Sequence, residues 1–296
     1  MLALFLLVAL VGGDALIDTH VVGECAGPSS DKSISACTRI IDELPKAAED
    51  RAIAYLFRGR ALNAQHRFED AIADFTNAIS IDPRLAPAFS ERATAYAAVG
   101  RLDLAIADCT QAITINPTNA IFRCDCGNAY WRTQQLDKAA EAYSDAIRLQ
   151  PNFPLAYMNR GLVESAQGLM DAALRDLTEA IRLDPVGTDA LYNRGVIHER
   201  LGRLTEAIDD LTTVIRVNPN EASAYKARAD VQQKNGRVDE AIKDFRRAAA
   251  LDPSDVETAA ALHALLTPLG ATGAPTGRQF RTPLAAQHWP WSWRWL

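Results

Sequence analysis

The sequence predicts an all-α solenoid of helical hairpins, and three observations carry that prediction. The segment AIADFTNAISIDP, Ala71 to Pro83, recurs in six variants whose closing prolines, Pro83, Pro117, Pro151, Pro185, Pro219 and Pro253, stand 34 residues apart. A fixed period of that kind marks a repeat array rather than a set of ordinary domains. Within each copy, apolar and small residues recur at three- and four-residue spacing, the pattern of helices with one buried face. The chain is 48% hydrophobic and 23% charged, the composition of a folded globular protein.

The elements follow in order. Leu2 to Val11 is an apolar run too short to span a bilayer but long enough for the core of a signal peptide, and Gly13-Asp14-Ala15 offers a small-x-small cleavage site. Residues 1–15 are therefore expected to direct export, making the protein periplasmic or secreted. The run lacks a preceding basic segment, so a buried apolar N-terminus is the competing reading. Glu24 stands where a lipoprotein signal needs a small residue before Cys25.

Residues 16–51 hold a partial unit, in which SISACTRII (33–41) aligns with AIADFTNAI and puts Cys37 where Phe75 sits. Residues 52–253 hold six full units. In the first, helix formers run from Ala52 to about Gln65, QHRFED interrupts, and a second helix runs from Glu69 to about Ile81. Proline then ends it, because it cannot continue a helix. Residues 254–268 read as a solvating cap helix opened by a Ser254–Glu257 capping box. Residues 269–296 form a Trp/Arg-rich tail expected to be disordered.

Numbering each unit so that its proline is position 32, position 4 reads Tyr55, Phe89, Arg123, Tyr157, Leu191 and Tyr225. Position 8 reads Gly59, Ala93, Gly127, Gly161, Gly195 and Ala229. Position 20 is Ala71, Ala105, Ala139, Ala173, Ala207 and Ala241. This set resembles the tetratricopeptide repeat, whose pattern has an aromatic or large residue at 4 and 24, a small one at 8, an aromatic at 11, Ala at 20 and 27, and Pro at 32. The resemblance implies a right-handed superhelical array. Position 11 departs from the aromatic pattern at Leu62, Glu164, His198 and Gln232, and position 4 departs at Arg123.

Position 7 is Arg in five units (Arg58, Arg92, Arg160, Arg194, Arg228), and position 23 is Asp in the same five (Asp74, Asp108, Asp176, Asp210, Asp244). The third unit has Cys126 and Ala142 instead. Joint loss of both partners predicts a structural ion pair inside each unit, of modest net stabilisation. Five cysteines leave at least one unpaired within the chain. Cys25 with Cys37, and Cys109 with Cys126, are the candidate disulfides, against a reading of small buried thiols. Cys124 and Cys126 lie two apart on a helix and diverge, which disfavours a metal site.

No catalytic motif is present: His198-Glu199 lacks the second His of a zinc protease, and GATGAPTG near Gly270 is a linker. Neither enzyme activity nor a cofactor is expected. The net charge of −6 argues against nucleic acid, the 28 basic and 37 acidic residues before the tail being distinctly acidic. The tail carries Trp289, Trp291, Trp293 and Trp295 with Arg294, a composition suited to weak contact with a membrane interface.

The resemblance implies a non-catalytic scaffold binding a peptide or partner protein in a concave groove, or else a regulatory or positioning subunit of a cell-envelope enzyme complex. Family geometry puts positions 2, 5, 9, 12 and 13 on that wall, selecting Arg60, Asn63, Asn128, Trp131, Arg132, Met158, Tyr192 and Arg200. Trp131 and Arg132 are residue types that dominate binding energy when exposed. The family's chaperone-tail clamp needs Lys at position 5 and Asn at 9; Asn128 is present, but Cys124 replaces the Lys, so a free-carboxylate ligand is not expected.

Overall fold

The computed structural model describes residues 19–43 and 48–267. The expected signal peptide (1–15) and the whole Trp/Arg-rich tail (269–296) lie outside the described residues. Fifteen helices and no strands occupy the described residues: α1 (Thr19–Cys25), α2 (Asp31–Glu43), α3 (Ala48–Ala64), α4 (Phe68–Ile81), α5 (Ala86–Ala98), α6 (Leu102–Ile115), α7 (Ala120–Arg132), α8 (Leu136–Leu149), α9 (Pro154–Ala166), α10 (Met170–Leu183), α11 (Thr188–Arg200), α12 (Leu204–Val217), α13 (Ala222–Lys234), α14 (Val238–Leu251) and α15 (Val256–Leu266). None is long and apolar enough to cross a membrane.

The helices fall into two compact units that divide between Thr133 and Gln134, inside the third repeat. In the first unit α1 packs on α2, α2 on α3, and the hairpins α3–α4 and α5–α6 stack toward α7. In the second, α8 packs on α9, followed by the hairpins α9–α10, α11–α12 and α13–α14 and then α15.

Each hairpin is shaped by the same few residues. Position 15 takes the left-handed conformation in the tight turn, as Gly100, Gly168, Gly202 and Gly236, but as His66 and Gln134 in the first and third repeats. Those two side chains adopt a backbone region that normally favours glycine. The second helices end at Asp82, Asn116, Gln150, Asp184, Asn218 and Asp252, all outside helical geometry. In all six the following proline disfavours the α region for the residue before it and ends the hairpin.

The six position-20 alanines are all 0% exposed, which fits helices approaching too closely for a larger side chain. Gly59 shows the limit: a Cβ there would lie 2.5 Å from the Phe75 ring.

Two local expectations are corrected. The cap of α15 is Asp255, not Ser254: its carboxylate accepts from the amides of Glu257 and Thr258, while Ser254 turns its hydroxyl to Asp252. The carboxylate serves better there because it accepts two of the orphan amides at once. Further, α3 starts at Ala48 rather than Ala52, giving 17 residues where α5 has 13. The extra turn lengthens the link to the partial repeat, so Arg58 meets Thr38 across 20 residues instead of the usual 16.

Candidate functional site: the first-helix face

Successive first helices touch one another, α3 with α5 and α5 with α7 in the first unit, α9 with α11 and α11 with α13 in the second. Each unit thus presents a continuous row of first helices, and the candidate binding residues lie along these rows.

In the first unit that row is cross-tied by polar contacts. Arg60 Nε donates to Glu91 Oε1 at 2.6 Å, from α3 to α5. Ser90 donates its hydroxyl to Asp125, and Arg132 donates to the Ala97 carbonyl, both between α5 and α7. Burial pushes the Asp125 carboxyl up to about 7 despite the Ser90 hydrogen bond, with Glu91 adding repulsion. Burial also lowers the Arg132 guanidinium.

Of the predicted contact residues, Arg60 is therefore engaged with Glu91 and Arg132 with a backbone carbonyl. Asn63 is buried, and its Oδ1 has no hydrogen-bond partner among the described residues, so it is a packing residue and not a surface group. Asn128 is exposed and Trp131 half-buried on α7, with Ile121 49% exposed on the same helix.

In the second unit Met158, half-buried, packs against the apolar cluster that contains Leu177 and Ile197. Tyr192 is half-buried between two apolar clusters, which raises its phenol. Arg200 is exposed. Glu199 accepts from Lys234, and Asp230 beside them is pushed to about 6 by burial and by the Glu199 charge.

Sequence reasoning missed Ser90, Glu91, Asp125 and Asp230. The first three fall at positions 5 and 6 of adjacent repeats, and a hydroxyl or carboxylate recurring there is the signal that could have found them.

The position-7 arginines are not groove residues but fasteners. Arg58, Arg92, Arg160, Arg194 and Arg228 each hold the Asp of their own hairpin through Nε and one Nη, at 2.6–2.9 Å. The planar fork matches a carboxylate at two points. Hydrogen bonding to Asp74, Asp176 and Asp210 raises Arg58, Arg160 and Arg194.

The remaining Nη donates at 3.0 Å to a hydroxyl on the preceding hairpin's second helix: Thr38, Thr76, Ser144, Thr178 and Thr212. Each guanidinium therefore ties three helices.

At the third repeat, where Cys126 replaces Arg, its sulfur lies against that of Cys109 with the Cα atoms 5.4 Å apart. Cys25 and Cys37 are placed likewise, at 4.7 Å. Cys124, also on α7, is buried. The position-11 departures leave buried atoms without partners among the described residues, at Glu164 Oε2, His198 Nδ1 and Gln232 Oε1. No group of His, Cys, Asp and Glu suited to a metal occurs among the described residues.

Hairpins repeated every 34 residues, stacked through small-residue contacts and offering a row of first helices, define a helical-repeat interaction scaffold. Tetratricopeptide repeat models match residues 52–85, 86–119, 124–185 with 164–212, and 222–255, together more than half of the chain. The chain belongs to the tetratricopeptide repeat family. No curated protein matches it in sequence.

Among solved structures it is similar to a chain of the APC/C hetero-tetramer Cut9–Hcn1, with 20% identity and a TM-score of 0.68, over 84% of this chain and 48% of that one. It spans about half the length of that relative. It is also similar to PilW, a type IV pilus biogenesis factor, with 18% identity and a TM-score of 0.65 over 73% and 98% of the two chains. A third is pilF of Pseudomonas aeruginosa, with 17% identity and a TM-score of 0.64 over 74% and 100%. At these identities the likeness is one of fold. The repeats support a protein–protein interaction scaffold, in a family that is generally non-catalytic.

Proposed function

We propose that the protein is a non-catalytic scaffold that holds an extended or helical segment of an envelope protein against its first helices. The observation that carries this reading is the surface of α7, where Ile121, Asn128 and Trp131 offer apolar area and an amide on one exposed stretch. A half-buried Trp loses little rotamer entropy on binding, and such residues often contribute 2 kcal/mol or more at interfaces. Tyr192 and the exposed Arg200 are the corresponding contacts in the second unit. Cys124 is 1% exposed, so the Lys position of a carboxylate clamp is closed, and the ligand is held by apolar and hydrogen-bond contacts instead.

Trp131→Ala is expected to reduce partner recovery from an envelope extract at least tenfold, the factor for about 1.4 kcal/mol, with the helical circular dichroism unchanged. Equal recovery by the two proteins would remove α7 from the binding surface.

The same reading places the protein outside the cytoplasm, where the pairs Cys25–Cys37 and Cys109–Cys126 form disulfides. Their placement supports this, since such bridges persist in oxidising compartments. Alkylation and mass analysis of protein from its native host should find one reactive thiol per chain after denaturation, and five would place it in a reducing compartment.

A further inference from the structure

The last described helix is covered on one side only. It starts at Val256, one repeat length after α13 starts at Ala222, and so occupies the place of a seventh first helix. Ala261, Leu262 and Leu265 pack against Ala229, Ala241 and Phe245, and Thr258 is 0% exposed.

The opposite side is apolar and open. Val256 is 78% exposed and Leu266 48%, with Ala259, Ala260 and His263 exposed between them, all along one stripe of the helix. Glu257 is its one acidic or basic side chain apart from His263. In α13 the residues equivalent to His263 and Leu266 are Ala229 and Gln232, which α14 closes off to 0% and 7% exposure. The polar outer surface that ends a repeat array is therefore absent from α15.

We propose that the Trp-rich segment, residues 280–296, folds back on this open stripe and covers it. The covering second helix of a seventh hairpin, one repeat length after α14, would occupy residues 272–285, within the segment that follows α15. These residues cannot form that helix in the usual way: Pro275 and Pro283 fall inside it, and His263 occupies the small-residue position where helices approach closely. What they offer is apolar area.

Trp289, Trp291, Trp293 and Trp295 alternate, so an extended segment carries all four indoles on one side. Reach is ample, since the residues between Thr267 and Trp289 span up to about 70 Å at roughly 3.3 Å each, against about 16 Å for α15. The covering is independent of what the first-helix face binds.

Tryptophan emission tests it in the full chain. Trp131→Phe leaves only the four segment tryptophans as reporters. Their emission is expected at shorter wavelength than that of a free peptide of residues 280–296, and with lower accessibility to acrylamide. Adding Val256→Lys and Ala260→Lys, both at exposed positions, is expected to return emission and quenching to the peptide values while helical circular dichroism is retained. Peptide-like emission before those substitutions overturns the proposal. So does a blue shift that tracks a concentration-dependent dimer in light scattering, which would put a second copy on the stripe. A shift seen only with anionic phospholipid vesicles would assign the indoles to a membrane instead.

Discussion

Two neighbouring junctions of the first unit hold the same place in the repeat and are fastened differently. Between the first and second repeats, Arg92 on α5 grips Asp108 on α6 at 2.7 and 2.9 Å and reaches back to Thr76 on α4 at 3.0 Å. Between the second and third, Cys126 stands in the arginine's place with its sulfur against Cys109 of α6, while Thr110, the equivalent of Thr76, donates to Ile106 of its own helix. An ion clamp works only while both charges are held and desolvated together, whereas a covalent link acts by restricting the unfolded chain. The first junction should answer to charge and the second to redox state.

Breaking the clamp is expected to have the largest effect. Asp108→Ala strands a guanidinium whose side chain is 15% exposed, and removing one partner of such a pair costs about 4 kcal/mol. The double change Arg92→Met with Asp108→Leu should cost less than the single one, because no charge is left unpaired. Thermal unfolding of the three proteins measures both, and a single variant within about 0.5 kcal/mol of the parent would deny the clamp any role.

At the other junction, a bridge across 17 residues is expected to contribute on the order of 3 kcal/mol. In a Cys25→Ser/Cys37→Ser background, reductant should lower the unfolding temperature of the parent and leave Cys126→Ser unmoved. Equal insensitivity of both would mean that the sulfurs are not bonded.

Much of this contrast was legible in the residues themselves. The 34-residue period, the alanines at position 20 and the prolines at 32 each recur, and recurrence separates structural requirement from accident. The joint change to Cys126 and Ala142 pointed to a pair inside the hairpin, and the bidentate distances have that arrangement.

The hydroxyl end of the clamp was harder to see. Thr76, Ser144, Thr178 and Thr212 recur just as regularly, but a helical Thr or Ser ordinarily bonds its own preceding turn, as Thr76 does to Ile72. Nothing in the residue type announces a second role. The candidate binding face was the least legible part. Its positions vary from repeat to repeat, and whether Asn63 is buried or Arg60 engaged depends on what the adjacent repeat supplies.

Acidity offers a finer probe of the contact between α5 and α7. Asp125 is raised to about 7, so the folded chain holds that proton more tightly than the unfolded chain, whose carboxyl titrates near about 4. Stability should therefore fall as pH rises between those values and level off above about 7. Screening of a half-buried group limits the change to the order of 2 kcal/mol. Asp125→Asn removes this group's share, so the difference between the two pH profiles isolates it from Asp230. Parallel profiles would show that Asp125 is ionised without penalty.

The smallest effect separates the two junctions most directly. Thr76→Val keeps the branched shape and removes one hydroxyl, which donates to Ile72 at 2.7 Å and accepts from Arg92 at 3.0 Å. Because Thr76 is exposed, the arginine Nη can turn to water, and the loss is expected to be about 0.5–1 kcal/mol. Thr110→Val is the matched control: it removes the same hydroxyl at the same place in the next repeat, where Cys126 offers no donor of that kind. The helical cost of valine is common to both and cancels. A remaining difference near zero would mean that the clamp ends at Asp108, and that the repeated hydroxyl serves only its own helix.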